Sequence, residues 1–195
     1  MGMFLRRSTH VRDPLAVAMS GVRLGERVLQ VGVDDARLVG LIAAKTGLSG
    51  SAACVVADEQ QPAKAKGGAD QAGVLVEIAV VPAGTLPHPD HAFDVAVIHS
   101  VSGLLASLDA PARRALLAES ARTLRAGGRI LVIEPGTRTG LRSMFKPVPS
   151  SQATYDAGGG ALADLRVAGF SPVRELGDRE GLRFAEGIKA GGGGQ

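Results

Sequence analysis

Gly25-Glu-Arg-Val-Leu-Gln-Val-Gly-Val-Asp-Asp-Ala-Arg-Leu-Val-Gly-Leu-Ile42 decides the fold. Residues 27–33 form a short, near-continuous apolar run, the mark of a strand buried on both faces. From Asp35 the apolar positions change to helical spacing, with Leu38, Val39, Leu41 and Ile42 on one face as far as Thr46 and Gly47 as the stop. A strand that turns sharply into a helix is the first half of a βαβ unit. Its turn, Gly32-Val-Asp-Asp35, is where such units meet ligands.

The alternation continues outward. Residues 13–21 predict a short leading helix, and residues 1–12, polar and basic, are expected outside the main sheet. Strands are predicted at 52–57, 74–81, 93–98 and 129–133, with a weaker, polar helix at 60–71. Asp109 caps a helix that has Pro111 in its first turn and ends at Gly127-Gly128. Residues 134–160 read as loop-rich and 161–168 as a helix. Strands at 173–176 and 182–188 close the chain as a hairpin turning at 177–181, the second strand expected beside the fifth. Strands alternating with helices predict a parallel sheet. The reading is therefore α/β: a Rossmann-like, doubly wound, mostly parallel seven-stranded sheet ending in an antiparallel hairpin. It forms one domain over residues 1–190, with 191–195 as a disordered tail.

Composition narrows the function. Hydrophobic residues make up 45% of the 195 and aromatics only 3%, with no Trp and Tyr155 as the single tyrosine, so the core must be Val, Leu, Ile and Ala. Proteins that stack nucleic-acid bases need aromatic faces. A net charge of +3 without a dense basic run also argues against nucleic acid as a partner. Cys54, the one cysteine, lies in an apolar run and reads as a small buried hydrophobe of a reducing compartment. No apolar run approaches the roughly 18 residues of a transmembrane segment. Arg12, Asp13 and Pro14 interrupt what would be a signal-peptide core, and Arg6 stands where myristoylation wants Ser or Thr. Cytoplasmic location is the expectation.

Three ordered stretches carry a family resemblance. Gly25-Glu-Arg-Val-Leu-Gln-Val-Gly32 resembles the pattern GxxVLDVG. Leu86-Pro-His-Pro-Asp-His-Ala-Phe-Asp-Val-Ala-Val97 resembles LPFPDxSFDVV, and the run from Glu119 to Glu134 resembles ExxRVLRPGGRLLVxE. Together with 181–189 they cover most of the chain. They identify it as similar to the class I S-adenosylmethionine-dependent methyltransferases, in the ubiquinone/menaquinone-biosynthesis-like branch. The resemblance implies S-adenosyl-L-methionine as cofactor and a small-molecule substrate. Asp58, at the end of the second strand, is then the acceptor for both ribose hydroxyls, because a carboxylate offers two acceptor oxygens, with Glu59 as the fallback. The loops after the first, third and fourth strands add Gly32, Val33, Asp34, Ala83, Gly84, His99 and Ser100 as cofactor-binding candidates.

The family pattern breaks in two places. Gln30 replaces the acid of DVGCGTG, and Asp34 and Ala36 replace its second and third glycines, which raises the prospect of steric exclusion. Pro82 stands where an acid often contacts the adenine amine, leaving backbone at Ala83 and Gly84 to substitute. These losses keep open a second reading, a non-catalytic protein of the same fold acting as a partner or scaffold. One of Asp34 and Asp35 is expected to cap the following helix. Two carboxylates at a helix start disfavour a pyrophosphate, and without G-x-G-x-x-G a nicotinamide or flavin enzyme is a distant third reading. His88, Asp90, His91 and Asp94 cluster but read as a surface loop, so no metal is expected. Glu134 reads equally as a site residue or a solvated strand end. Residues 138–146, with Leu141, Met144 and Phe145 at helical spacing, read as a capping segment or an amphipathic lid. His99 and Tyr155 are candidate general bases by position alone, and no catalytic residue is assigned.

Overall fold

The computed structural model describes residues 14–82, 84–137 and 148–191. The expectations for residues 1–12, Ala83, 138–146 and most of the tail fall outside them. Element order is α1 (Leu15–Met19), β1 (Arg27–Val31), α2 (Ala36–Lys45), β2 (Ser51–Val56), α3 (Gln61–Ala72), β3 (Glu77–Val80), β4 (Phe93–His99), α4 (Leu104–Ser107), α5 (Ala110–Thr123), β5 (Leu124–Pro135), α6 (Ser150–Ala157), α7 (Gly160–Val167), β6 (Phe170–Arg179) and β7 (Leu182–Lys189).

The described strands form one seven-stranded sheet in the order β3-β2-β1-β4-β5-β7-β6. The first five run parallel. β7 lies antiparallel beside β5, with Val132 opposite Ala185, and β6 pairs antiparallel with β7. Alternate residues of the central strands build the two halves of the core. Leu29, Val31, Ala96, Ile98, Ile130 and Val132 join Leu116 and Leu117 of α5 and Leu165 of α7. Val28, Val95, Val97, Leu131 and Ile133 join Val17 of α1 and Leu38 and Ile42 of α2. Strand order reverses between β1 and β4, so the crevice of a doubly wound sheet falls above their carboxyl ends.

Several elements depart from the sequence reading. β3 starts at Glu77 rather than at Val74, because the Val74 N–H donates to the Ala69 carbonyl at the end of α3. α5 stops at Thr123 rather than at the glycine pair; Leu124 is already extended, and β5 runs through Gly127-Gly128 with a register shift against β4. The four-residue α4 and the eight-residue α6 were both unanticipated. Ser-Ser-Gln-Ala-Thr-Tyr-Asp-Ala in α6 has no repeated apolar spacing, and its burial rests on Gln152 and Tyr155.

The family-like motifs hold one another. Arg122 of α5 donates to the Leu86 and His88 carbonyls at 3.0 and 2.9 Å and pairs with Asp90 at 2.7 Å. Glu119 binds Arg122 at 2.8 Å and accepts the Leu86 N–H at 3.2 Å. The 86–90 loop is thereby fastened to α5. Asp94 pairs with Arg27 and Arg125 at the start of β4, away from the crevice. His91 Nδ1 lies 3.1 Å from the Leu124 carbonyl. The side chains of Asp90, His91 and Asp94 are thus engaged in structural contacts. No helix among the described residues is long and apolar enough to cross a membrane.

Candidate cofactor site

The turn after β1 builds the floor of the crevice. Gly32 has φ +79°, and its N–H donates to the Val55 carbonyl at 2.8 Å. A Cβ there would come within 3.1 Å of the His99 carbonyl and of Leu104 Cδ2. Only glycine leaves this approach open. The two lost glycines cost no comparable strain. Among the described residues the non-glycine positions with positive φ are His91 and Glu180, so neither Asp34 nor Ala36 is left-handed. Ala36 is already the first residue of α2.

Asp34 and Asp35 divide the work of shaping this turn. Asp35 is the N-cap of α2, accepting the Arg37 N–H at 2.9 Å. The Asp34 carboxylate reaches across the crevice and accepts the N–H groups of Val101 and Ser102, the latter at 3.0 Å. It ties the β1–α2 turn to the β4–α4 loop. From the far side, Lys64 Nζ donates to the Val33 and Asp34 carbonyls at 3.2 and 2.7 Å. Side chains therefore hold the shape that glycines give elsewhere.

A cavity of about 250 Å³ opens above β1, β2 and β4. Among the sequence candidates, Gly32, Val33, Asp34, Gly84 and His99 line it. Pro82 is on its wall beside Val81 and Thr85. Asp58 and Glu59 are exposed and stand outside the lining, although Asp58 is flanked by two lining residues, Ala57 and Gln61. Asp58 Oδ1 accepts the Gln60 N–H at 2.8 Å as the chain enters α3. Ser100 is buried in the fold: its Oγ accepts the Leu105 N–H at 3.0 Å and its N–H bonds the Ile133 carbonyl. The lining residues not anticipated from sequence include Gln61, Ser102, Gly103, Leu104, Ser107 and Leu116. Most come from α4 and the loop before it.

His99 and Gln30 form a buried pair at the strand ends. Gln30 Nε2 donates to the Val39 carbonyl at 2.9 Å, and Gln30 Oε1 is 3.0 Å from His99 Nε2. Burial lowers the His99 pKa to about 4, against the opposing pull of Asp34 and Asp35. His99 is therefore neutral near pH 7. Burial pushes the Cys54 thiol up to about 12, so it is no nucleophile.

A second crevice of about 620 Å³ adjoins the first, sharing Ser102, Gly103 and Ser107 with it. Its other walls include Thr137, Gln152, Asp156 and Arg183. Beneath Arg183 lies Glu134, 1% exposed, whose Oε1 accepts from Arg183 Nε at 2.7 Å. Arg183 Nη2 reaches Asp156 at 3.1 Å. Glu134 is thus a buried ion-pair partner, not a solvated strand end. Its desolvation raises its pKa despite Arg183. The Tyr155 hydroxyl is buried and its pKa is pushed up, first by burial and then by the charge of Glu134. Neither His99 nor Tyr155 is placed as an exposed general base.

Together these features define a doubly wound α/β protein with a ligand crevice at its strand-order switch. A model of the methyltransferase domain family matches residues 28–128, and the chain belongs to that family, whose methyl donor is S-adenosyl-L-methionine. It is 25% identical over 156 residues to the ubiquinone/menaquinone biosynthesis C-methyltransferase of Cupriavidus taiwanensis; the match covers 80% of this chain and spans 60% of that relative's length. A SAM-dependent methyltransferase from Aquifex aeolicus has the same fold, with a TM-score of 0.70 at 17% identity over 90% of this chain and 88% of that one. So does the [4+2]-cyclase SpnF, with a TM-score of 0.63 at 20% identity over 91% and 79%.

Proposed function

We propose that the chain is an S-adenosyl-L-methionine-dependent methyltransferase acting on a small molecule. The observation that carries this reading is the cavity lined by Gly32, Val33, Asp34 and His99 at the β1/β4 switch of a methyltransferase-family chain. A cavity of about 250 Å³ lies just under the range of about 300–1,000 Å³ common for small-molecule sites. It takes part of a nucleoside cofactor and leaves the ribose at the exposed rim where Asp58 and Glu59 stand. Gly84 offers backbone to the adenine in place of the side chain that Pro82 lacks. When bound, the cofactor supplies an activated methyl group and needs alignment more than acid–base help. The acceptor molecule occupies the second crevice, against the shared Ser102-Gly103 wall, with Gln152, Asp156 and Arg183 as its polar contacts. An intact Asp34 clamp and an unstrained loop favour this over the scaffold reading.

Asp58→Ala tests the ribose assignment. Each hydrogen bond to a charged acceptor contributes roughly 1.5–3 kcal/mol, so affinity for S-adenosylhomocysteine should fall tenfold or more. The melting temperature should scarcely change, because Asp58 is exposed and its carboxylate makes a local bond to the Gln60 N–H. Equal affinity of wild type and variant would remove Asp58 from the site.

A further inference from the structure

We propose that Asp34 is a positioning residue rather than a cofactor ligand, and that its carboxylate fixes the end of the cavity that receives the amino-acid moiety of the cofactor. The inference rests on the methyltransferase reading and deepens it. It also runs against the family-like pattern DVGCGTG, in which this position is a glycine.

Both carboxylate oxygens of Asp34 are engaged within the protein. Oδ2 accepts the Val101 N–H, and Oδ1 accepts the Ser102 N–H at 3.0 Å. Among the described residues, these are the hydrogen bonds that join the 32–35 turn to the 100–104 turn. The peptide at Asp34 is held too, because Lys64 Nζ of α3 donates to the Val33 and Asp34 carbonyls. Asp34 is thus fastened to α3 through its backbone and to the β4–α4 turn through its side chain. A carboxylate suits this work because its two oxygens can take two adjacent N–H donors.

The β4–α4 turn depends on that tie. Its other bonds run within the turn or to β5: the Gly103 N–H donates to the Ser100 carbonyl, Ser100 Oγ accepts the Leu105 N–H, and the Ser100 N–H donates to the Ile133 carbonyl. None of them reaches the Gly32 side of the cavity. Yet the approach there is close, since a Cβ on Gly32 would lie 3.1 Å from Leu104 Cδ2. Gly32, Ser102, Gly103 and Leu104 line the same end of the cavity. With the adenine at Pro82 and Gly84 and the ribose at the Asp58 rim, this end is left for the amino-acid moiety. Ser102 and Gly103 also wall the second crevice, so the same tie sets the boundary between the two. Without a carboxylate at position 34, two N–H groups lose their acceptor and that boundary loosens.

Calorimetry on wild type, Asp34→Gly and Asp34→Asn tests this with three probes. They are S-adenosylhomocysteine, its analogue lacking the α-amino group, and 5′-methylthioadenosine, which lacks the amino-acid moiety. Asp34→Gly restores the family's glycine, yet it should weaken S-adenosylhomocysteine and the desamino analogue by the same factor, about tenfold or more. Affinity for 5′-methylthioadenosine should stay within about twofold of wild type. Asp34→Asn keeps one carbonyl acceptor and should fall between. A loss confined to the amine-bearing ligand would make Asp34 a direct ligand and overturn the proposal. Equal losses for all three, the mark of a merely structural residue, would overturn it as well, and so would no loss with any. If Asp34→Gly does not fold, Asp34→Asn carries the same comparison, joined by hydrogen exchange. The Val101 and Ser102 amides should be protected in the free wild type and less so in Asp34→Asn. Rapid exchange of both in wild type contradicts the tie. Wild type that binds none of the three probes removes the methyltransferase reading, and this inference with it.

Discussion

Replacing Arg183 by Met should destabilise the protein by about 3–5 kcal/mol, the loss expected when a buried ion pair is broken from one side. Glu134 is 1% exposed and takes its hydrogen bond from Arg183 Nε at 2.7 Å, whereas Arg183 is partly open to the second crevice. Without Arg183 the carboxylate must stay protonated or be buried as an uncompensated charge. The sign of the pH dependence follows. The Glu134 pKa is already raised above 4.5 by desolvation, and losing Arg183 raises it further. A group whose folded pKa exceeds its unfolded value stabilises below the unfolded pKa and loses that contribution as pH rises. The penalty of Arg183→Met should therefore be smallest near pH 4.5 and grow toward pH 8, as read by urea denaturation at several pH values. Adding Glu134→Gln should recover part of the loss and flatten the profile. A penalty below about 1 kcal/mol, or one independent of pH, would show that the pair is not the buried anchor described here.

Adjacent glycines in α3 should respond in opposite directions to the same methyl group. At Gly68 an added Cβ would sit 1.8 Å from the Ala36 carbonyl, and at Gly40 it would sit 2.1 Å from the Gly68 carbonyl. The backbones of α2 and α3 therefore touch, and Gly68→Ala must push the helices apart. Overpacking of this kind costs about 1–3 kcal/mol and occasionally more, and here the upper end is expected because the obstacle is backbone. Ala36 opens α2 directly after the Asp34-Asp35 turn, so cofactor affinity should fall with stability. Gly67 has nothing within 4 Å of an added Cβ. Gly67→Ala in the same helix should stabilise by about 0.5–1 kcal/mol through helix propensity alone. Equal behaviour of the two variants in thermal melts would contradict the close α2–α3 approach.

How much of this was legible in sequence depended on whether local pattern or distant contact governed each residue. The first strand, its turn and α2 were legible, because apolar spacing changes from continuous to helical at Asp35. The placement of β7 beside β5 came from the family-like ending, and the register of Val132 with Ala185 agrees with it. α4 was not legible: four residues carry no period, and its start is held by Ser100 Oγ on the Leu105 N–H. The cavity residues of α4 were missed with it. Ser100 looked like a site residue because it follows β4, yet the side chain turns into the fold. The replacement of an acid by Gln30 read as a loss from the motif. Its partner His99 is 69 positions away, so its significance appears only in three dimensions.

A loop with one glycine where the family-like pattern DVGCGTG has three is expected still to receive the cofactor. Titrating the intact chain with S-adenosyl-L-methionine and with S-adenosylhomocysteine by calorimetry tests it most directly. Saturable one-to-one binding is expected at well below millimolar concentration, with a thermal shift that grows with ligand concentration. No heat and no thermal shift from either nucleoside at millimolar concentration would contradict it, and the scaffold reading would then stand in its place.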